Sequence, residues 1–153
     1  MTQQREKRLL NEWLAEFHPT DLQWRRVRLG AIPTKRKGRE FLVGLRWCDA
    51  IYIKDDIVHI VEAKIKPDLG VIGQLEHYHD LFYRTPEFSQ YKDKQVQLVL
   101  LTAWPDLEVK ALCMKKGIEY VLYQPEWILP YLAERFKVPL ADLRYGIKAH
   151  SSE

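Results

Sequence analysis

Three charged residues interrupt an otherwise apolar stretch near the middle of the sequence. The stretch RWCDAIYIKDDIVHIVEAKIK spans residues 46–66, and its alternating or continuous apolar residues predict a pair of buried strands. Asp49, Glu62 and Lys64 all lie near one end of that pair. Charged side chains are rarely buried without a partner or a chemical task, so these three residues are the first candidates for a functional site.

The turn between the two strands determines how the charged residues face one another. The cluster KDD is the only polar stretch between the strands, and a two-residue loop at Asp55 and Asp56 predicts a β-hairpin. In that register Asp49 pairs with Glu62, and both side chains point to the same face of the sheet. Lys64 lies two residues after Glu62 and shares that face. The sequence therefore predicts two acids and a lysine at one end of an apolar face.

Two directly opposed carboxylates repel each other unless one of the charges is removed or compensated. A proton shared between Asp49 and Glu62 is one solution, and a divalent cation, which suits hard oxygen ligands, is another. With a cation bound, Lys64 could orient a water or stabilise charge on a phosphorane, so the set suits hydrolysis of phosphate diesters. The alternative is a structural ion pair between Glu62 and Lys64 at the sheet rim, which leaves Asp49 unexplained.

Positive charge is concentrated just upstream of these acids. The formal net charge is +3, but the segment from Trp24 to Arg46 holds eight basic residues and one acidic residue. Such a patch suits a polyanion such as nucleic acid, although PTKRKGRE could also be a solvated loop. Arg26 belongs to this basic run. The residues predicted to contact nucleic acid are Arg25, Arg28, Lys35, Arg36, Lys37, Arg39 and Arg46.

The elements that must position these residues follow a mixed α/β order. A helix is predicted over 5–17 from the apolar stripe of REKRLLNEWLAEF, and a strand is predicted over LQWRRVRLG. A helix over 70–83 and the buried strand QVQLVLLTA follow the hairpin. The segments DLEVKALCMKKG, IEYVLY and PEWILPYLAERF predict a helix, a strand and a final helix bent at Pro130. We expect one domain over 1–145 and a mobile tail over 146–153.

The composition excludes several other classes of protein. The 153 residues fit one domain, 46% of them are hydrophobic, and no long apolar run predicts a membrane span. The start MTQQREKRLL lacks the apolar stretch of a signal peptide, so we expect a cytoplasmic protein. Cys48 and Cys113 resemble core thiols of a reducing compartment. Neither an iron–sulfur cluster, a zinc site nor a phosphate-binding ATPase loop is predicted.

The spacing of the charged residues resembles that of the PD-(D/E)xK nuclease superfamily. Asp49 is followed at a hairpin's distance by Glu62-Ala63-Lys64, although Cys48 stands where the motif has proline. The resemblance implies that Asp49, Glu62 and the backbone carbonyl of Ala63 bind Mg²⁺ or Mn²⁺. It also implies that Lys64 is the catalytic lysine.

Two further parts of the sequence are similar to elements of that superfamily. Gln74 and Tyr78 in QLEHY lie on one helix face, like the QxxxY element of the RecB-like and phage exonuclease-like branch. Tyr78 could also serve as a packing residue. Glu6 falls within the apolar stripe of the first helix, like the helix-1 glutamate that many members point at the metal, with Glu12 and Glu16 as alternatives. Glu6 could equally be a first-turn acid favoured by the helix dipole.

The resemblance implies both a fold and an activity. It covers residues 5–104 and implies a restriction-endonuclease-like core, in which a central mixed β-sheet is flanked by helices in the order αβββαβ, with a C-terminal α/β extension. The expected function is that of a Mg²⁺- or Mn²⁺-dependent deoxyribonuclease, acting alone, as a homodimer or within a repair, recombination, restriction or phage DNA-processing assembly. A non-enzymatic DNA-binding or structural component that retains the fold, and a nuclease directed at RNA, are the alternatives.

Overall fold

Five strands form one mixed sheet in the computed structural model, which describes residues 2–31 and 46–144. The strands lie side by side in sequence order, and the first three are antiparallel while the last two run parallel to the third. They are β1 (Leu22–Leu29), β2 (Arg46–Lys54), β3 (Ile57–Lys64), β4 (Gln95–Thr102) and β5 (Glu119–Leu122).

Helices cover both faces of the sheet. They are α1 (Thr2–Phe17), α2 (Gly70–Phe82), α3 (Leu107–Lys115) and α4 (Ile128–Phe136), with a 3₁₀ helix at Pro86–Tyr91. One core layer packs α2 and α3 against the sheet and includes Ile60 and Leu75. The other packs α1 and α4 against the opposite face and includes Leu14 and Leu132. Within the described ranges, no helix is both long and apolar enough to cross a membrane.

The predicted order of helices and strands is confirmed, with differences at several boundaries. α1 begins at Thr2 rather than at residue 5, so no acid lies in its first turn. α4 begins at Ile128 rather than at Pro125, which places Pro130 in the first turn, where a missing N–H removes no intrahelical hydrogen bond. The 3₁₀ helix and a helical segment at 140–144 were not predicted from the sequence. The tail over 146–153 lies outside the described residues.

The register of the β2–β3 hairpin is the one predicted from its turn. Lys54 pairs with Ile57, and the pairing continues without a shift to Ala50 and Val61. Asp55 and Asp56 have φ values of 52° and 66°, the left-handed conformation that a two-residue hairpin loop of the primed type requires. Because aspartate tolerates this conformation better than most residues, the turn sequence itself sets the register.

The segment after residue 104 completes the sheet and one of its core layers. β5 pairs in parallel with β4. Ile128, Leu129 and Leu132 of α4 are buried together with residues of α1. The predicted C-terminal α/β extension is therefore packed onto the same core as the predicted nuclease-like part.

Candidate active site

A cleft of about 470 Å³ opens at the end of the β2–β3 hairpin, beside the N-terminal half of α1. Its charged lining includes three acids and four bases, which are Glu6, Asp49, Glu62, Lys7, Arg25, Arg26 and Lys64. The three residues first selected from the sequence therefore lie in one cleft. A cleft with this mixture of charges can hold a cation at its acids and a polyanion at its rim.

Regular pairing of β2 with β3 stops immediately before the acids. The last pair is Ala50 with Val61, and beyond it the Asp49 carboxylate (Oδ2) accepts a hydrogen bond from the backbone N–H of Ala63 at 2.8 Å. Cys48 packs in the same core layer as Ile51, although strict alternation along a strand would place the two on opposite faces. The regular alternation assumed for β2 therefore does not extend through Asp49.

Arg26 of β1 lies opposite this irregularity and has a left-handed backbone. Its φ is 48°, although its neighbours keep one register, with Arg25 opposite Ala50 and Val27 opposite Cys48. A non-glycine residue held in this region costs on the order of 1–3 kcal/mol. The side chain of Arg26 lines the cleft, and its positive charge partly opposes the rise that burial causes in the pKa of the Asp49 carboxyl. Strained residues of this kind concentrate at functional sites.

We expect Arg26→Gly to be more stable than Arg26→Ala by about 1 kcal/mol, because only glycine adopts a positive φ without strain. Urea unfolding of the two variants beside the wild type measures the difference. Both variants remove the guanidinium, so the loss of its contacts cancels in the comparison. Equal stability of the two variants would show that the left-handed conformation at this position carries no strain.

Glu62 is a buried carboxyl with one oxygen unsatisfied. It is 5% exposed. Its Oε1 accepts a hydrogen bond from Gln74 at 3.2 Å and lies 3.8 Å from the Lys64 ammonium. Its Oε2 is buried and has no hydrogen-bond partner among the described residues. Burial, followed by the negative charge of Asp49, raises the pKa of Glu62 to about 8, against the opposing effect of Lys64.

The other two acids are shifted in the same direction for the same main reason. Burial raises the pKa of Asp49, while the N–H of Ala63 and the charge of Lys64 oppose the shift. Burial also raises the pKa of Glu6, and the negative charge of Asp49 adds to that rise. The charge of Lys64 and a hydrogen bond with the backbone of Ile65 oppose it. Three acids that each disfavour ionisation share one cleft, so a bound cation would relieve all of them.

The structure distinguishes among the three acids proposed for helix 1. Glu6 lies at the cleft, and because α1 begins at Thr2 it is not a first-turn acid. Glu12 instead accepts a hydrogen bond from the indole of Trp127, and Glu16 accepts one from the hydroxyl of Tyr123 at 2.8 Å. Only Glu6 of the three is placed to interact with Asp49.

Gln74 and Tyr78 connect the carboxylates to the start of β2. The Gln74 amide donates to Glu62 and also to the Tyr78 hydroxyl, at 2.7 Å. That hydroxyl donates in turn to the carbonyl of Trp47 at 3.0 Å. Burial and the charge of Glu62 raise the pKa of Tyr78 well above its ordinary value, so the phenol remains a neutral donor. Tyr78 is also a core residue, so its packing and its polar contacts coexist.

The residues predicted to bind nucleic acid are placed in different parts of the molecule. Arg25 lines the cleft and donates to the Asn11 side chain at 3.0 Å. Arg28 pairs with Glu87 at 3.1 Å and does not line the cleft, and Arg46 is exposed outside it. The predicted contacts at Lys35, Arg36, Lys37 and Arg39 lie outside the described residues.

The cleft residues fit a hard divalent cation. Within residues 2–31 and 46–144, no three His, Cys, Asp or Glu side chains are close enough to hold a metal by themselves. Mg²⁺, however, is usually held by one or two carboxylates, with water and substrate oxygens in its other positions. Asp49 and Glu62 match that pattern, and the Oε2 of Glu62 is a buried carboxyl oxygen with no hydrogen-bond partner among the described residues.

Several residues of this region were missed by the sequence analysis. Lys7 and Asn11 of α1 line the cleft; they are one and five residues from Glu6 rather than three or four, so the helix period does not select them as its neighbours. Charge alone does not distinguish Arg26 from the other basic residues between Trp24 and Arg46. Trp47 carries no charge and belongs to no motif, although the Arg26 guanidinium lies 5.3 Å from the centre of its ring. No sequence signal predicts the left-handed conformation that brings these two residues together.

Comparison with known proteins identifies the fold and not a family. No protein-family model and no curated protein sequence matches the chain. Among solved structures, EndoMS in a complex with double-stranded DNA is similar with a TM-score of 0.50 and 19% identity over 78% of this chain. A repair endonuclease from Pyrococcus abyssi is similar with a TM-score of 0.49 and 18% identity over 78% of the chain.

The likeness to EndoMS confirms the predicted fold class, a central mixed sheet flanked by helices. The chain spans less than half the length of these neighbours, 44% of EndoMS and 47% of the Pyrococcus abyssi protein.

Proposed function

We propose that this protein is a metal-dependent nuclease that hydrolyses phosphodiester bonds in DNA. The observation that carries the proposal is the buried Glu62, whose unsatisfied oxygen lies in the same cleft as Asp49 and Lys64. A buried carboxyl oxygen without a hydrogen-bond partner is costly unless a ligand compensates it. The endonuclease fold supports the same reading, and one protein with that fold forms a complex with double-stranded DNA.

Asp49 and Glu62 would hold Mg²⁺ or Mn²⁺ together with the carbonyl of Ala63, and Glu6 would add a further carboxylate. When bound, such an ion supplies Lewis-acid activation of a phosphoryl oxygen and of the attacking water. The N–H of Ala63 orients the Asp49 carboxylate, and the Gln74 amide orients that of Glu62. Both carboxylates are thereby fixed in position before a ligand arrives.

Lys64 is the residue proposed to act on the reacting phosphate. Its side chain lines the cleft and is 38% exposed, and its ammonium is 3.8 Å from Glu62, too far for a tight ion pair. An ammonium in this position can orient the attacking water or stabilise the charge that develops on the phosphoryl oxygens. Gln74 and Tyr78 support this arrangement by holding Glu62 and the start of β2.

Positive side chains at the rim would contact the sugar–phosphate backbone. Lys7, Arg25 and Arg26 lie beside the acids in the same cleft. Backbone contacts of this kind position a substrate without reading its sequence. The same proposal places the protein in the PD-(D/E)xK superfamily, in its branch with the QxxxY element, and has Arg28 and Arg46 contact phosphates. It also includes a role as one subunit or as a homodimer within a larger DNA-processing assembly.

Cleavage assays on plasmid, linear duplex, single-stranded DNA and RNA test the proposed function directly. We expect products from at least one DNA substrate with Mg²⁺ or Mn²⁺ and none with EDTA. Asp49→Asn, purified in the same way, controls for a contaminating nuclease and should be inactive. If the wild type cuts none of these substrates with either metal, the non-enzymatic reading replaces the enzyme.

A further inference from the structure

Trp47 is the most exposed tryptophan of the molecule. The other four tryptophans, Trp13, Trp24, Trp104 and Trp127, are buried or half-buried, whereas Trp47 is 51% exposed. Large aromatic rings that remain in water are common in binding surfaces, because one ring face is available to a planar partner. Packing of the fold therefore does not explain why Trp47 is a tryptophan at this exposed position.

One contact of the Trp47 ring and one of its backbone connect this residue to the candidate active site. The guanidinium of Arg26, which lines the cleft, lies 5.3 Å from the centre of the Trp47 ring. The backbone carbonyl of Trp47 accepts the hydrogen bond of Tyr78, whose hydroxyl is bonded to Gln74 and through it to Glu62. The backbone of Trp47 is thus connected to the carboxylates, and its ring lies beside the guanidinium of a residue that lines the cleft.

Folding alone does not account for the pairing of Arg26 with Trp47. A cation over an exposed aromatic ring is a weak interaction, whereas the left-handed backbone of Arg26 is unfavourable for a residue other than glycine. The unfavourable backbone of Arg26 therefore costs more free energy than its contact with the Trp47 ring contributes. This imbalance points to a ligand that uses both side chains. In nucleic acids the two matching groups are a base, which stacks on an aromatic ring, and a phosphate, which pairs with a guanidinium.

We propose that Trp47 stacks one unpaired base of a nucleic-acid strand whose phosphates pass Arg26 and enter the cleft. This inference rests on the proposed nuclease function and adds a substrate class. Bases inside an intact duplex are stacked on their neighbours and cannot offer a face to a side chain. The preferred substrate is therefore single-stranded, or carries an unpaired nucleotide beside the phosphate to be cut.

Binding of a series of single-stranded DNA oligonucleotides tests the proposal. Each oligonucleotide carries one abasic nucleotide at a different position, and affinities are measured by fluorescence anisotropy with Ca²⁺. Stacking on an aromatic side chain contributes enough that its loss weakens binding ~5- to 150-fold. For the wild type, one abasic position should show such a loss. Trp47→Ala should show the same loss on the intact strand and no further loss at that abasic position, because the two changes remove one contact.

Three controls make the expected result specific. Trp47→Phe, which keeps a stacking face, should restore most of the affinity. Tyr83→Ala, which truncates another aromatic residue that is 46% exposed and contacts His79 rather than the cleft, should bind like the wild type. Binding to a fully paired duplex should be the same for the wild type and Trp47→Ala.

The proposal would be overturned if Trp47→Ala bound every abasic oligonucleotide more weakly than the wild type by the same factor as it bound the intact strand. It would also be overturned if Trp47→Ala bound the intact single strand with wild-type affinity. If Trp47→Ala fails to fold, the abasic series is measured with the wild type and Trp47→Phe instead. A wild type whose affinity is the same for every abasic position then overturns the proposal. A wild type that cuts DNA without these effects refutes the role of Trp47 and leaves the nuclease intact. A wild type that neither binds nor cuts nucleic acid refutes both.

Discussion

Replacing Lys64 with alanine should slow DNA cleavage by ~10²–10³-fold and leave metal and DNA binding close to those of the wild type. An ammonium has no lone pair to offer a metal, so Lys64 cannot be a ligand. A donor that acts on charge appearing only in the transition state lowers the rate when it is removed, whereas ground-state binding changes little. Loss of one such donor typically costs a rate factor of this size.

Cleavage time courses and DNA-binding titrations of the same preparations measure the two effects separately. Lys66→Ala is a matched control, since Lys66 lies two residues further along the chain, where its ammonium is 4.5 Å from the ring centre of Trp104. That variant should cut at the wild-type rate. Glu62→Gln, by contrast, should lose cleavage and metal binding together. If Lys64→Ala cuts DNA at the wild-type rate, Lys64 is only a structural partner of Glu62.

The hairpin that carries the acids was predictable because its information is local. Two consecutive aspartates between two apolar strands favour a loop with positive φ at both residues, and such a loop fixes the register of the hairpin. The turn at Asp55 and Asp56 therefore sets the pairing as far as Ala50 and Val61, whereas the predicted pairing of Asp49 with Glu62 is replaced by a hydrogen bond from the Ala63 N–H to Asp49. The position of Gln74 and Tyr78 on one helix face also follows from spacing alone.

The detailed shape of the cleft was not predictable, because it depends on contacts between distant segments. The left-handed Arg26 belongs to β1, and its effect appears in β2 opposite Asp49, where alternation along the strand is broken. No helical or strand period encodes such a local reversal. The choice of Glu6 over Glu12 likewise depends on how α4 meets α1, since Trp127 provides the partner of Glu12.

Divalent cations should stabilise the wild type more at pH 8 than at pH 5, and Glu62→Gln should abolish this difference. The pKa of Glu62 is raised in the folded protein from an ordinary value of 4.5 to about 8. Between these values the folded state holds a proton that the unfolded state has released. The free energy of unfolding of the metal-free protein therefore falls as the pH rises through this window, by up to ~1.4 kcal/mol per pH unit.

A cation needs the ionised carboxylate, so its binding competes with that proton and becomes stronger as the pH rises. At a concentration a hundredfold above its dissociation constant, bound Mg²⁺ would raise the free energy of unfolding by ~2.7 kcal/mol. Urea unfolding at several pH values, with EDTA or with Mg²⁺, measures both effects. Glu76→Gln, at an exposed position of α2, should follow the wild type, whereas Asp49→Asn should lose the response to Mg²⁺. A wild type whose stability at pH 8 is the same with Mg²⁺ and with EDTA would rule out a metal site at Asp49 and Glu62.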